Sequence, residues 1–144
     1  MPVDDWRAIE NLIFSYASLV DAGDFSAVGE LFASGAFVGS GGVARGASEV
    51  SRMLQSMVIL YPDGTPRTKH VTTNVSVSVT GDTAESRAYF TVLQAVEDFP
   101  LQTIAAGRYR DTFSRGSAGW HFTERQATVD LVGDVSHHLR AKGS

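Results

Sequence analysis

Among the four histidines of the chain, His70 stands out in "RTKHVTTNVSVSVTGD", residues 67 to 82, where it sits on the leading polar row of a strand pattern. Imidazole titrates near pH 6.5, so such a group takes or gives a proton at working pH, worth roughly 10²–10⁴ in rate when well placed. Periodicity alone leaves two faces open for it: if the alternating valines turn to the core it faces water, and if the polar row turns inward it faces a pocket. Asp21 is a second candidate. It falls at the end of a predicted helix, where a carboxylate opposes the carbonyl end of the dipole. Burial there would raise its pKa toward the range of a general base or let it anchor His70, whereas exposure would make it an ordinary turn residue before glycine. Tyr16 is the third candidate: on the apolar stripe its ring is expected to be buried, and its hydroxyl should find a partner, as an amphipathic core residue or at a site. Asn74, four residues past His70, either orients the imidazole or contacts substrate, and would look the same on a wet face. Met53 and Met57, one helical turn apart, suit an adaptable apolar wall or plain core.

Those residues depend on the elements that carry them. Trp6, Ile9, Leu12, Ile13, Tyr16 and Val20 recur at spacings of three and four, which predicts a helix over 4–21 that stops at Asp21-Ala22-Gly23. Asp24 caps a shorter helix through Phe25, Val28, Leu31 and Phe32. The glycine-rich "GAFVGSGGVARG" predicts a brief strand at 36–39 and then a loop, and Val50, Met53, Leu54 and Met57 mark a third helix over about 47–60, ended by "YPDGTP". After Pro66 the period becomes two, with Val71, Val75, Val77 and Val79 alternating with polar residues up to a hairpin at "TGDT". "AESRAYFTVLQAV", "LQTIAAGRYRDTF" and "WHFTERQATVDLV" continue an antiparallel meander, and the polar "GDVSHHLRAKGS" is expected to end in a frayed tail. Helices followed by a bent sheet predict one α+β domain over 1–144, with a core of about 5–139, a tail at 140–144 and the helices on one sheet face.

Composition removes several function classes. With 43% hydrophobic and 19% charged residues and no apolar run near the roughly 18 needed to span a bilayer, a soluble globular protein is expected, and no membrane partner. The acidic start carries no secretory pattern, so a cytoplasmic location is expected. The absence of cysteine excludes disulfides and thiolate chemistry. A net charge of −4, without a basic stripe, argues against nucleic acid. His137 and His138 are adjacent without a third ligand at metal-site spacing, and no phosphate loop or dinucleotide fingerprint is present, so neither metal nor cofactor is expected. Arg108 and Arg110, flanking Tyr109, are expected in surface or interface ion pairs.

The order of elements, with "AIENLIFSYASLVDAGDFSAVGELF", "TKHVTTNVSV", "AAGRYRDTF" and "GWHFTERQATVDLVGD", resembles the SnoaL-like family of the nuclear transport factor 2-like superfamily over about residues 5 to 139. The resemblance implies a cone-shaped curved antiparallel or mixed sheet, wrapped by three N-terminal helices around a deep apolar pocket. It further implies a cofactor-free dehydratase or isomerase in which Tyr16, Asp21 and His70 surround a carbonyl of a cyclic apolar, polyketide-like or steroid-like substrate. Asn74, Met53, Met57 and Tyr89 would contact that substrate. The relatives also imply alternatives: epoxide hydrolysis or polyketide cyclisation in the same pocket, or a binding or assembly domain without chemistry. One departure stands out, because "FTVLQAV" at 90–96 offers only Gln94 where such dehydratases carry a histidine or aspartate partner. With the polar row turned inward, the valines would lie on the convex face and form a homodimer interface.

Overall fold

The computed structural model describes residues 4–141. Helix α1 (Asp5–Asp21) is capped by Asp4, whose carboxylate accepts from the Trp6 backbone N–H at 3.0 Å, and it buries Ile9, Ile13, Tyr16, Ala17 and Val20 on one stripe. A tight turn through Gly23 leads into α2 (Phe25–Leu31), capped as expected by Asp24. Gly23 is required twice over: its φ is +75°, and a Cβ would lie 2.0 Å from the Gly64 carbonyl oxygen. Strands β1 (Ala36–Gly39) and β2 (Gly42–Arg45) pair as a hairpin, and α3 (Gly46–Met57) follows. The glycines read as a loop thus form a small strand at the sheet edge. Helix α3 ends at Met57, before the expected 60, because Val58 turns to extended backbone and bridges to Leu139.

Four long strands complete the chain: β3 (Thr68–Thr80), β4 (Thr83–Val96), β5 (Phe99–Gly116) and β6 (Gly119–Val132). They join the edge hairpin in one six-stranded sheet of order β2-β1-β6-β5-β4-β3, antiparallel except where β1 runs parallel to β6. The helices cover one face, where Ile9, Ile13, Val28 and Phe32 meet Ile104, Phe113 and Phe122 in a continuous core. Fully burying a large apolar side chain stabilises by about 1.5–3 kcal/mol, so this single core suffices for a chain without disulfides. No helix among the described residues is long and apolar enough to cross a membrane.

One irregularity in β3 decides which side chains face the helices. Between the pairs Thr73↔Tyr89 and Ser76↔Arg87 the strand advances three residues while β4 moves two, so one residue is extra. Asn74, with φ at 55°, sits in this bulge. Before it, Thr68, His70 and Thr72 pair with the buried Gln94, Val92 and Phe90 and turn inward. After it the parity is reversed, and Val75, Val77 and Val79 pack against the core. Val71, before the bulge, stays on the outer face, but Val75, Val77 and Val79 do not form a convex-face row: they share the helix-covered face with the histidine, which strict alternation does not allow.

The polar C-terminal segment does not fray over its described part. Ile59 N–H donates to the His138 carbonyl at 2.9 Å, Arg140 N–H donates to the Met57 carbonyl at 2.8 Å, and the His137 ring stacks on Phe99 at 4.1 Å. Gln94 Nε2 donates to the His137 carbonyl and to the Pro66 carbonyl, both at 3.0 Å, and the Tyr61 hydroxyl also donates to the His137 carbonyl. Of the tail at 140–144, residues 142–144 lie outside the described residues.

Candidate active site

Helix α1 delivers Asp21 from its last position and β3 delivers His70 from its first turns, and the two meet. The His70 Nδ1 lies 2.6 Å from Asp21 Oδ1, the His70 backbone N–H donates to Oδ2 at 2.8 Å, and the Thr68 hydroxyl donates to Oδ1 at 2.8 Å. Three donors on one carboxylate offset the unfavourable helix-end position. An ionised carboxylate only accepts, so Nδ1 carries the hydrogen and the neutral ring keeps Nε2 as its open, basic nitrogen. The two side chains are 9% and 11% exposed, reachable but largely shielded from water.

The electrostatics differ from the sequence expectation. Burial works to raise the Asp21 pKa, but the hydrogen bonds from His70 and Thr68 and the His70 charge outweigh it and hold the carboxyl below its ordinary value. Asp21 is thus a standing anion that orients His70 and balances its charge once protonated.

Beside this pair lies an aromatic cluster built around a buried ion pair. Arg125 on β6 donates from Nε and Nη2 to the two carboxylate oxygens of Asp111 on β5, at 2.8 and 2.9 Å, and the Ser86 hydroxyl on β4 donates to Asp111 at 3.3 Å. The Arg125 guanidinium carbon lies 3.6 Å from the ring centre of Tyr109 and 4.5 Å from that of Tyr16. Tyr16 also stacks on Phe37 and meets Tyr109 edge-on, with centroids 6.0 and 5.9 Å away. Burial pushes the Tyr16 phenol up to about 12, against the lowering effect of Arg125, with the charges of Asp111 and Asp21 adding to the rise. Burial raises Tyr109 as well, and Asp21 contributes there too. Both phenols therefore stay protonated donors, within the field of Asp21, although no hydrogen bond joins Tyr16 to Asp21 or His70 among the described residues.

Other expected contacts fall elsewhere. Tyr89 precedes the buried Phe90, so alternation sends it to the opposite face, where it is 55% exposed. Asn74 is exposed at the bulge, and its residue type answers to backbone, since asparagine tolerates positive φ. Met53 is partly buried against the core, whereas Met57, at the end of α3, is 43% exposed. Arg108 pairs with Asp130 in the open, as an ion pair of the kind expected. Gln94 fills the place of the missing partner with a structural task, tying the tail to the start of β3 through its two carbonyl contacts.

Two parts of the neighbourhood had no sequence signal. Tyr109 and Arg125 lie on strands read only as alternating pattern. His138 comes from the tail, is buried, and places its ring 6.2 Å from that of His70 at 65°. Burial first, and then the neighbouring His70, depress the His138 pKa to about 4. An unfolded histidine titrates near 6.5, so as pH falls from about 6.5 to about 4 the unfolded chain takes up a proton the folded one resists, and stability drops over that window. His138→Leu is expected to flatten that acid limb in melting curves taken from pH 7 to pH 4; an unchanged slope would place the ring in water.

A groove of about 420 Å³ lies on the far side of the sheet, lined by Ser76, Ser78, Arg87, Arg110, Glu124 and Gln126 among others. It is polar and separate from the His70 pair.

A family model described as the SnoaL-like domain matches residues 1–126. Among solved structures, the chain is similar to an NTF2-like protein with a cystatin-like fold from Novosphingobium aromaticivorans: 28% identity, 92% of this chain and 86% of that one, TM-score 0.72. It is also similar to Rv3472 of Mycobacterium tuberculosis, a protein of unknown function (22% identity, 94% and 84% covered, TM-score 0.74). A provisionally assigned scytalone dehydratase from N. aromaticivorans shares the fold at 20% identity, with 90% and 87% covered and a TM-score of 0.71. No curated protein sequence matches the chain.

Proposed function

The chain belongs to the SnoaL-like domain family, and from that premise we propose that it is a cofactor-free lyase or isomerase in which His70 removes a proton beside a carbonyl. The observation that carries this reading is the Asp21–His70 pair, with Nδ1 fixed on the carboxylate and Nε2 left basic. The imidazolium formed by proton uptake lies against a carboxylate that is already charged, so the step creates no isolated charge in a shielded place. Tyr16 and Tyr109, protonated and backed by Arg125, supply donors suited to a carbonyl oxygen that gains negative charge. Their aromatic surroundings suit a cyclic, mostly apolar substrate, polyketide-like or steroid-like, held in an apolar pocket beside the pair. Epoxide opening would need an arginine beside Asp21, and Arg108 is engaged by Asp130 instead.

The test is proton exchange at the α-carbon of a bicyclic ketone such as tetralone in heavy water, followed by NMR. The wild-type protein is expected to catalyse exchange and His70→Ala to return it to background. Equal exchange by the two proteins would sink the reading.

A homodimer through the outer sheet face is part of the same proposal, on a row that includes Val71 but not the inward Val75, Val77 and Val79. Val71, Thr91, Ala106 and Leu131 form a paired row across β3, β4, β5 and β6, and Leu131 is 70% exposed. Leu131→Lys is expected to shift the protein to monomer in sedimentation; a wild-type monomer at the same concentration would refute the interface. A cytoplasmic home is also proposed.

A further inference from the structure

The open question at His70 is what accompanies it, since β4 offers no acid or imidazole there. The strand that carries His70 supplies an answer two residues earlier. Thr68 opens β3, its side chain is buried, and its hydroxyl donates at 2.8 Å to Oδ1 of Asp21, the oxygen that also faces His70 Nδ1 at 2.6 Å. We propose that Thr68 is a positioning residue for the base: it fixes the rotation of the Asp21 carboxylate, and through it the nitrogen on which His70 carries its hydrogen.

Its catalytic weight rests on the base role given to His70 above, while its geometry stands independently. The terminal torsion of an aspartate is broad and roughly two-fold, so the side chain itself does not choose where its oxygens point. The donors choose. The His70 backbone N–H holds Oδ2 at 2.8 Å and Thr68 holds Oδ1, and two donors on different oxygens define the carboxylate plane. Taking away the hydroxyl leaves one fixed point, about which Oδ1 is free to swing off the ring. A ring without an acceptor at Nδ1 carries its hydrogen on either nitrogen, and each molecule with the hydrogen on Nε2 has no basic nitrogen toward a substrate. The hydroxyl suits this task because it is neutral: it orders the carboxylate without adding a cation that would oppose proton uptake by His70.

Thr68 is itself held in place. Branching at Cβ restricts its χ1. Its backbone pairs with Gln94 on β4, whose amide donates to the Pro66 carbonyl at 3.0 Å, and the Ala95 N–H donates to the Arg67 carbonyl at 3.4 Å. Arg67, between Pro66 and Thr68, has a φ of 59°, a left-handed conformation uncommon outside glycine. The β4 position without an acid or imidazole thus acts on the pair at one remove, by fixing the strand start from which the hydroxyl projects.

The test compares Thr68→Val, which keeps the shape and removes the hydroxyl, with Thr68→Ser, which keeps the hydroxyl and removes the methyl. Nitrogen NMR of the neutral His70 ring, assigned against His70→Ala, reads the tautomer, and α-proton exchange of tetralone reads the base. The wild-type and serine proteins are expected to show the Nδ1–H form. The valine variant is expected to show a mixture of the two forms, with kcat for exchange down about tenfold and KM within about twofold. A packing role would give the opposite order, with valine harmless and serine impaired. Melting curves establish that each variant is folded, and Thr68→Ala carries the test if the valine variant is not. A folded valine variant with the wild-type tautomer overturns the positioning role, whatever its rate. If the wild-type protein exchanges no proton of tetralone, the base reading fails, and the ring tautomer still decides for or against Thr68.

Discussion

His70→Ala is expected to slow α-proton removal by roughly 10²–10⁴, and Asp21→Asn to approach the same loss by another route. The alanine variant removes the proposed base. In the asparagine variant the base is present but misdirected. Asp21 accepts from Thr68, from the His70 backbone and from His70 Nδ1, three donors converging on two oxygens. An amide has one oxygen and one NH₂, so one side meets a donor with a donor. If the NH₂ faces the ring, the neutral imidazole must carry its hydrogen on Nε2 and loses its basic nitrogen toward the substrate. Steady-state turnover would thus fall with little change in KM, since the lost interaction matters most as charge forms on the ring. Stability provides a second readout. The folded Asp21 pKa is below its unfolded value, near 3.9, so its contribution is present at neutral pH and is lost as pH falls through the folded value. Wild-type protein should therefore melt above Asp21→Asn at pH 7, with the gap closing below about pH 4. A constant gap across that range would show that the charge of Asp21 is not what the native state uses.

Arg125→Ala is expected to cost about 3–5 kcal/mol, because it leaves Asp111 as an uncompensated charge in the interior. Neither side chain of this pair is exposed to water. Burial disfavours the Arg125 charge, yet Asp111 and the two tyrosines hold its pKa above the ordinary value. The loss includes more than the ion pair, since the guanidinium fills the space between Tyr16 and Tyr109. For a domain of this size the predicted drop in melting temperature is roughly 6–20 °C. The double variant Arg125→Met with Asp111→Leu removes both charges and should be less destabilised than the single variant, by double-mutant comparison. A single-variant cost under about 1 kcal/mol would mean that water reaches Asp111.

The elements that repeat were legible in the sequence, and those set by distant contacts were not. Apolar spacing located α1 and α3, Asp24 announced α2, and the period of two marked the meander. His70 and Asp21 were legible as candidates because their residue types conflict with their local setting: an imidazole in a polar strand row and an acid at a helix end. Strand parity was the weak point. The bulge at Asn74 inverts it in β3, and β6 slips as well between Thr112↔Glu124 and Phe113↔Phe122, which sends both Phe122 and Arg125 inward at a spacing of three. No alternation rule reveals an arginine placed that way. His138 was hidden for another reason: its burial depends on the Val58–Leu139 bridge, eighty residues of chain folded back on themselves, and a short polar segment carries no period from which to read such a return.

The extra residue in β3 also has a meaning for how this protein can change. It divides one strand into two independently adjustable halves: the first can exchange its polar groups to suit new chemistry, while the second keeps the valines that hold α1. Deleting one residue at the bulge would put the halves back in step, and the chain would then have to choose between an inward histidine and an inward valine row. Within this strand, the polar half and the core-packing half are separated by a single backbone irregularity.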